Sequence, residues 1–107
     1  MEYIIITVPD MNDSVSRIVL LGRNYRIRFS YNLVCDYWTF GLYTEQDEPL
    51  AIGIKIVPNM ALNLFFGLDQ MPQGQFLCMS KLDRIGRDDF KDGKATFAFF
   101  PIPIAEG

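Results

Sequence analysis

The stretch Tyr25-Arg26-Ile27-Arg28-Phe29-Ser30-Tyr31-Asn32-Leu33 decides the fold class. Tyr25, Ile27, Phe29, Tyr31 and Leu33 alternate with Arg26, Arg28, Ser30 and Asn32. Successive side chains of a strand point to opposite faces, so the pattern predicts a half-buried strand, apolar on one face and polar on the other. Upstream, Val15 to Leu21 ends in a continuous apolar run. Gly22-Arg23-Asn24 between them predicts a hairpin turn. Downstream, Tyr37 to Tyr43 sets Trp38, Phe40 and Leu42 on one face, with Thr39, Gly41 and Tyr43 on the other. The polar run Glu45-Gln46-Asp47-Glu48-Pro49 is a turn signal. Leu50, Ile52, Ile54 and Ile56 then alternate with Ala51, Gly53, Lys55 and Val57, completing a second hairpin.

Pro58-Asn59 breaks the chain, and Ala61 to Phe66 reads as a further strand or extended segment. Gly67 to Gly74 is expected to be a loop and Gln75 to Leu82 a strand. Residues 83–94 are the most polar region; Arg87 to Phe90 suits one helical turn, and Asp92-Gly93 is a strong turn dipeptide. Ala95 to Phe100 is the last strand, ended by Pro101 and Pro103, which cannot donate to a ladder. Tyr3 to Val8 adds one near the N-terminus. The expected fold is therefore all-β. One domain over residues 1–107 holds seven or eight short, mainly antiparallel strands in a small barrel or sandwich. Residues 101–107 are expected to form a C-terminal arm. Leu20-Leu21, Phe65-Phe66 and Phe99-Phe100 put apolar side chains on both faces of their segments. Such surplus apolar surface suggests an interface and favours a homo-oligomer.

The 107 residues are 50% hydrophobic, 14% aromatic and 21% charged, which excludes disorder and suits a single domain. Ten basic and 13 acidic residues give a net charge of −3, a balance that opposes general nucleic-acid binding and attraction to an anionic membrane. No apolar run approaches the ~18 residues of a transmembrane helix. Met1 to Pro9 carries Glu2 and lacks a basic start, so it is a poor signal peptide. Cys35 and Cys78 lie in apolar runs, where free thiols act as small hydrophobes, and two cysteines make no disulfide framework.

Chemistry-bearing patterns are sparse. With no histidine, imidazole catalysis and histidine metal sites are absent by inventory, and the usual base for Cys35, Cys78 or a serine is missing. Ser80 and Lys81 are adjacent on a strand, so their side chains diverge. The same holds for Asp47 with Glu48 and Asp88 with Asp89 as acid–base pairs. Asp88 to Gly93 fails as a calcium loop because Phe90 occupies the third ligand position. No catalytic residue, metal or cofactor is expected. Arg26 and Arg28 lie opposite Tyr25, Phe29 and Tyr31, which suits a solvated arginine row over core aromatics better than a nucleic-acid platform. A small β-barrel that binds a ligand or single-stranded nucleic acid is the alternative reading.

Residues 25–32 and 37–43, together with Pro49-Leu50-Ala51-Ile52-Gly53-Ile54, resemble the small plug proteins of contractile-tailed phage baseplates, the cyanophage-type plug family. Gly74-Gln75-Phe76-Leu77, Asp88-Asp89 and the final aromatic strand fit the same layout, and the similarity spans roughly residues 4 to 101. The resemblance implies a non-enzymatic virion component in the tail baseplate of a phage or prophage, assembled in the bacterial host cytoplasm. Its implied partners are hub, tube and spike proteins. The expected contact residues are Arg26 and Arg28 on the polar strand face, Arg84, Arg87 and Phe90 in the polar loop, and Ile102 and Ile104 in the arm.

Overall fold

Alternating apolar residues produce strands wherever turn residues bound them. The computed structural model describes residues 3–60 and 74–101. It contains β1 (Ile4–Ile6), β2 (Asp13–Leu20), β3 (Arg23–Asn32), β4 (Tyr37–Thr44), β5 (Pro49–Lys55), β6 (Gly74–Ser80) and β7 (Ala95–Pro101). One antiparallel sheet has the order β2-β3-β4-β5, and a second has the order β1-β7-β6. The sheets do not close into a barrel, so the architecture is a sandwich. The expected segment at 61–66 and most of the loop at 67–74 lie outside the described residues.

The core is aromatic and joins the two layers. Phe29 and Phe40 of the larger sheet meet Phe97 of the smaller one, with ring centroids at 5.5 and 5.0 Å. Phe76 packs on Phe40 at 5.2 Å and on Phe99 at 5.1 Å. Edge-on and tilted rings suit the aromatic quadrupole, and each fully buried phenylalanine contributes about 1.5–3 kcal/mol through lost water contact. Trp38, Leu20, Ile27 and Leu42 complete the buried set.

Several local expectations are corrected. The β2–β3 turn is Leu21-Gly22, both at positive φ (53° and 80°), rather than Gly22-Arg23-Asn24. A two-residue loop of this hand matches strand twist, and it leaves Arg23 and Asn24 free to begin β3. Leu33 does not continue the alternation of β3. It is exposed in a loop where the Asn32 side-chain oxygen accepts from the Val34 and Cys35 amides. Cys35 is therefore exposed rather than packed, while Cys78 is buried, and both are free. The even spacing of Leu50, Ile52, Ile54 and Ile56 fails because the β4–β5 register shifts twice. Ile54 pairs with Phe40 and Ala51 with Leu42, so the extra residue throws Ile52 outward, where it is 67% exposed. Gly53, at φ 66°, makes that bulge possible. The surplus apolar surface expected at Leu21 and Phe100 is present at only one of them. Leu21 is exposed in its turn, but Phe100 is half-buried and stacks on Tyr3 at 4.8 Å. Gly74 begins β6, and that strand stops at Ser80 rather than Leu82.

One seam of the sandwich is tied shut. After β5, the Ile56 amide donates to the Trp38 carbonyl, Pro58 bridges to Cys78, and the Asn59 amide donates to the Cys78 carbonyl. The Asn59 side chain also bonds both backbone groups of Ser80. At the opposite seam, β1 and β2 are the edges of different sheets and share no ladder.

Candidate functional site

The outer face of β3 carries Arg26 and Arg28, as expected, and each is held by a carboxylate. Arg28 makes a two-pronged contact with Asp13 at 2.8 and 2.7 Å, and Arg26 donates to Asp47 at 2.8 and 3.0 Å. Asp47 reaches Arg26 because it sits at φ 66° in the β4–β5 turn, which Thr44 stabilises by accepting the Gln46 and Glu48 amides. The Arg28 contact holds the Asp13 carboxyl below the usual carboxylate range, against a smaller opposing effect of burial, and Ser30 adds a hydrogen bond. Arg28 is correspondingly raised, chiefly by Asp13. Tyr25 and Phe29 are buried on the opposite face, so they offer no stacking platform beside these arginines.

The residues predicted from the 83–94 loop gather at one end of the sandwich, around Trp38. The indole Nε1 donates to the Gly86 carbonyl at 3.0 Å, and Phe90 meets the ring edge-on at 5.8 Å. Arg87 lies over the indole at 5.5 Å, donates from Nε to Asn12 at 2.6 Å, and pairs with Asp10 at 3.0 Å. Arg84 donates to both the carbonyl and the carboxylate of Asp36, which also accepts from the Tyr31 hydroxyl. These contacts bind the loop to the β1–β2 and β3–β4 connections. The loop is a series of hydrogen-bonded turns, and its one i to i+4 bond, from the Asp92 amide to the Asp88 carbonyl, overlaps the single helical turn expected over Arg87 to Phe90. Its Asp89 carboxylate accepts the Gly86 amide, a structural use for one of the paired carboxylates. Arg84 remains 65% exposed at the side chain and Arg87 only 26%, so Arg84 is the more available of the two. Phe90 is half-buried against the core. Ile102 and Ile104 lie outside the described residues.

Two features escaped the sequence reading. A cleft of about 420 Å³ is lined by Cys35, Asp36, Tyr37, Lys55, Asp83 and Arg84 among others. A groove of about 330 Å³ runs along the open seam, between Ile4–Ile6 and Ser16–Leu20. The signal for the seam was present in β2, whose outward residues Asp13, Val15, Arg17 and Val19 alternate with Ser14, Ser16, Ile18 and Leu20. Among the described residues no polar or charged residue is buried as a whole, and no cluster of three or more Cys, Asp or Glu is placed to hold a metal. Burial pushes the Cys78 thiol up to about 11, with the Asp89 charge adding to it, so its nucleophilic thiolate is suppressed. The described surfaces are shaped and ion-paired.

Residues 1–101 match the family model described as "Cyanophage baseplate Pam3 plug gp18". The chain belongs to this baseplate plug family. The family indicates a structural component of a phage baseplate, in agreement with the resemblance read from residues 25–54. The match extends through β1 at one end and β7 at the other, so it covers both sheets of the sandwich. No curated protein sequence matches the chain.

Proposed function

We propose that this plug-family chain is a non-enzymatic structural part of a phage or prophage tail baseplate, assembled in the host cytoplasm and acting through protein–protein contacts. The observation that carries this reading is the family match across both sheets. The surfaces add support. The Trp38 end presents Arg84 and is cross-braced by ion pairs, which lowers the ordering cost of meeting a partner. The contact residues on this reading are Arg26 and Arg28 on the sheet face, Arg84, Arg87 and Phe90 at the loop end, and Ile102 and Ile104 in the arm. Hub, tube and spike proteins are the proposed neighbours.

The test is co-expression of the full chain with the hub, tube and spike proteins of the same phage, followed by affinity capture. The wild-type chain is expected to retain at least one of them. Arg84→Glu is expected to weaken that capture without changing the far-ultraviolet circular dichroism. A folded chain that retains none of these proteins overturns the reading.

A further inference from the structure

No described strand pairs with β2 on its outer side. The two-residue turn makes Leu20 and Arg23 a hydrogen-bonded pair, and the Tyr31 amide donates to the Asn12 carbonyl. In an antiparallel ladder these pairs alternate, so the even-numbered residues of β2 bond β3. The amides and carbonyls of Asp13, Val15, Arg17 and Val19 therefore point to the free edge. An edge this long, with exposed Val15 and Val19, is a template for another strand.

The sequence along that edge is self-complementary. About Val15, an antiparallel second copy sets Asp13 opposite Arg17, Ser14 opposite Ser16, and Met11 opposite Val19. Moving the axis to Ser14 or Ser16 sets each charge against an apolar residue, and moving it to Arg17 sets like charges together. The charges make the Val15 register specific: among the described residues Arg17 has no ion pair, and it sits in register beside the like-charged Arg26.

We propose that β2 pairs antiparallel with β2 of a second copy of this chain about Val15, joining two four-stranded sheets into one of eight. Each Asp13, already bonded to its own Arg28, gains Arg17 of the second copy as an additional partner. Val15 meets its counterpart at the centre of the junction, and Met11 faces Val19 at both ends. The pairing rests on the β2 edge and not on the baseplate reading, so either can fail alone.

The experiment measures the solution mass of the full chain by sedimentation across concentration. It compares wild type with Arg17→Asp, and follows oxidative cross-linking of Val15→Cys in a Cys35→Ser background. A dimer is expected. Arg17→Asp replaces two attractive cross-strand pairs by repulsive ones and should weaken dimerisation on the order of tenfold or more, with the melting temperature of the monomer unchanged. Val15→Cys should cross-link faster than Val19→Cys, because only the former places two cysteines opposite each other. A wild-type chain that stays monomeric overturns the proposal. So does a dimer indifferent to Arg17→Asp, or faster cross-linking through position 19.

Discussion

Replacing Trp38 by phenylalanine should loosen the loop that carries Arg84, Arg87 and Phe90 more than any other conservative core change. Trp38 is 1% exposed and is the one tryptophan of the chain. Phenylalanine keeps a ring but removes the Nε1 donor, leaving the Gly86 carbonyl without its 3.0 Å bond. That loss is worth about 1 kcal/mol. The missing pyrrole portion of the indole removes contact with Phe90 and narrows the platform under Arg87. A partly filled cavity of that kind adds about 1–2 kcal/mol. The expected total is about 2–3 kcal/mol, or a fall in melting temperature of roughly 10 °C for a domain of this size. Urea unfolding followed by far-ultraviolet circular dichroism measures the change, since tryptophan fluorescence is lost with the residue. Hydrogen exchange should quicken at Asp89, Asp92 and Gly93, whose amides bond within the loop. A loss below about 0.5 kcal/mol, with those amides unchanged, would refute the claim that the indole anchors the loop.

Gly74→Ala should be strongly destabilising. A Cβ there would lie 2.4 Å from the Phe99 ring and 2.6 Å from the Phe100 carbonyl oxygen, and the latter cannot rotate away. Thermal melting should show a loss of about 2–4 kcal/mol. Leu21→Asn should act in the opposite direction, adding about 0.5–1 kcal/mol by urea unfolding, because leucine at φ 53° is strained and asparagine tolerates that region. Thiol labelling of the native protein followed by mass measurement should modify Cys35 rapidly and Cys78 only on unfolding.

The sandwich halves were legible to very different degrees. In β3 and β4, the core-facing residues keep the period of two from Tyr25 to Tyr31 and from Trp38 to Leu42, so both strands read directly as structure. In β5 the same pattern misled, because a bulge at Ile52-Gly53 changes which face a residue joins without changing its hydropathy. The β2–β3 turn was misplaced by one residue because leucine hides the turn: nothing in its chemistry announces a positive φ. Arg26, Arg28, Arg84 and Arg87 were identified as polar surface, but their partners Asp47, Asp13, Asp36 and Asp10 are 15 to 77 positions away. Only the fold brings them together. Barrel and sandwich could not be separated from the residues either, since the pairing of β1 with β7 spans nearly the whole chain.

Mass spectrometry of purified, intact tails from the encoding phage tests most directly whether this chain works as a built-in part of the baseplate. The account predicts that the chain is present in fixed proportion to the baseplate proteins and stays with the baseplate when the tail tube is removed. Its absence from intact tails, with the protein abundant in the infected cell, would contradict it.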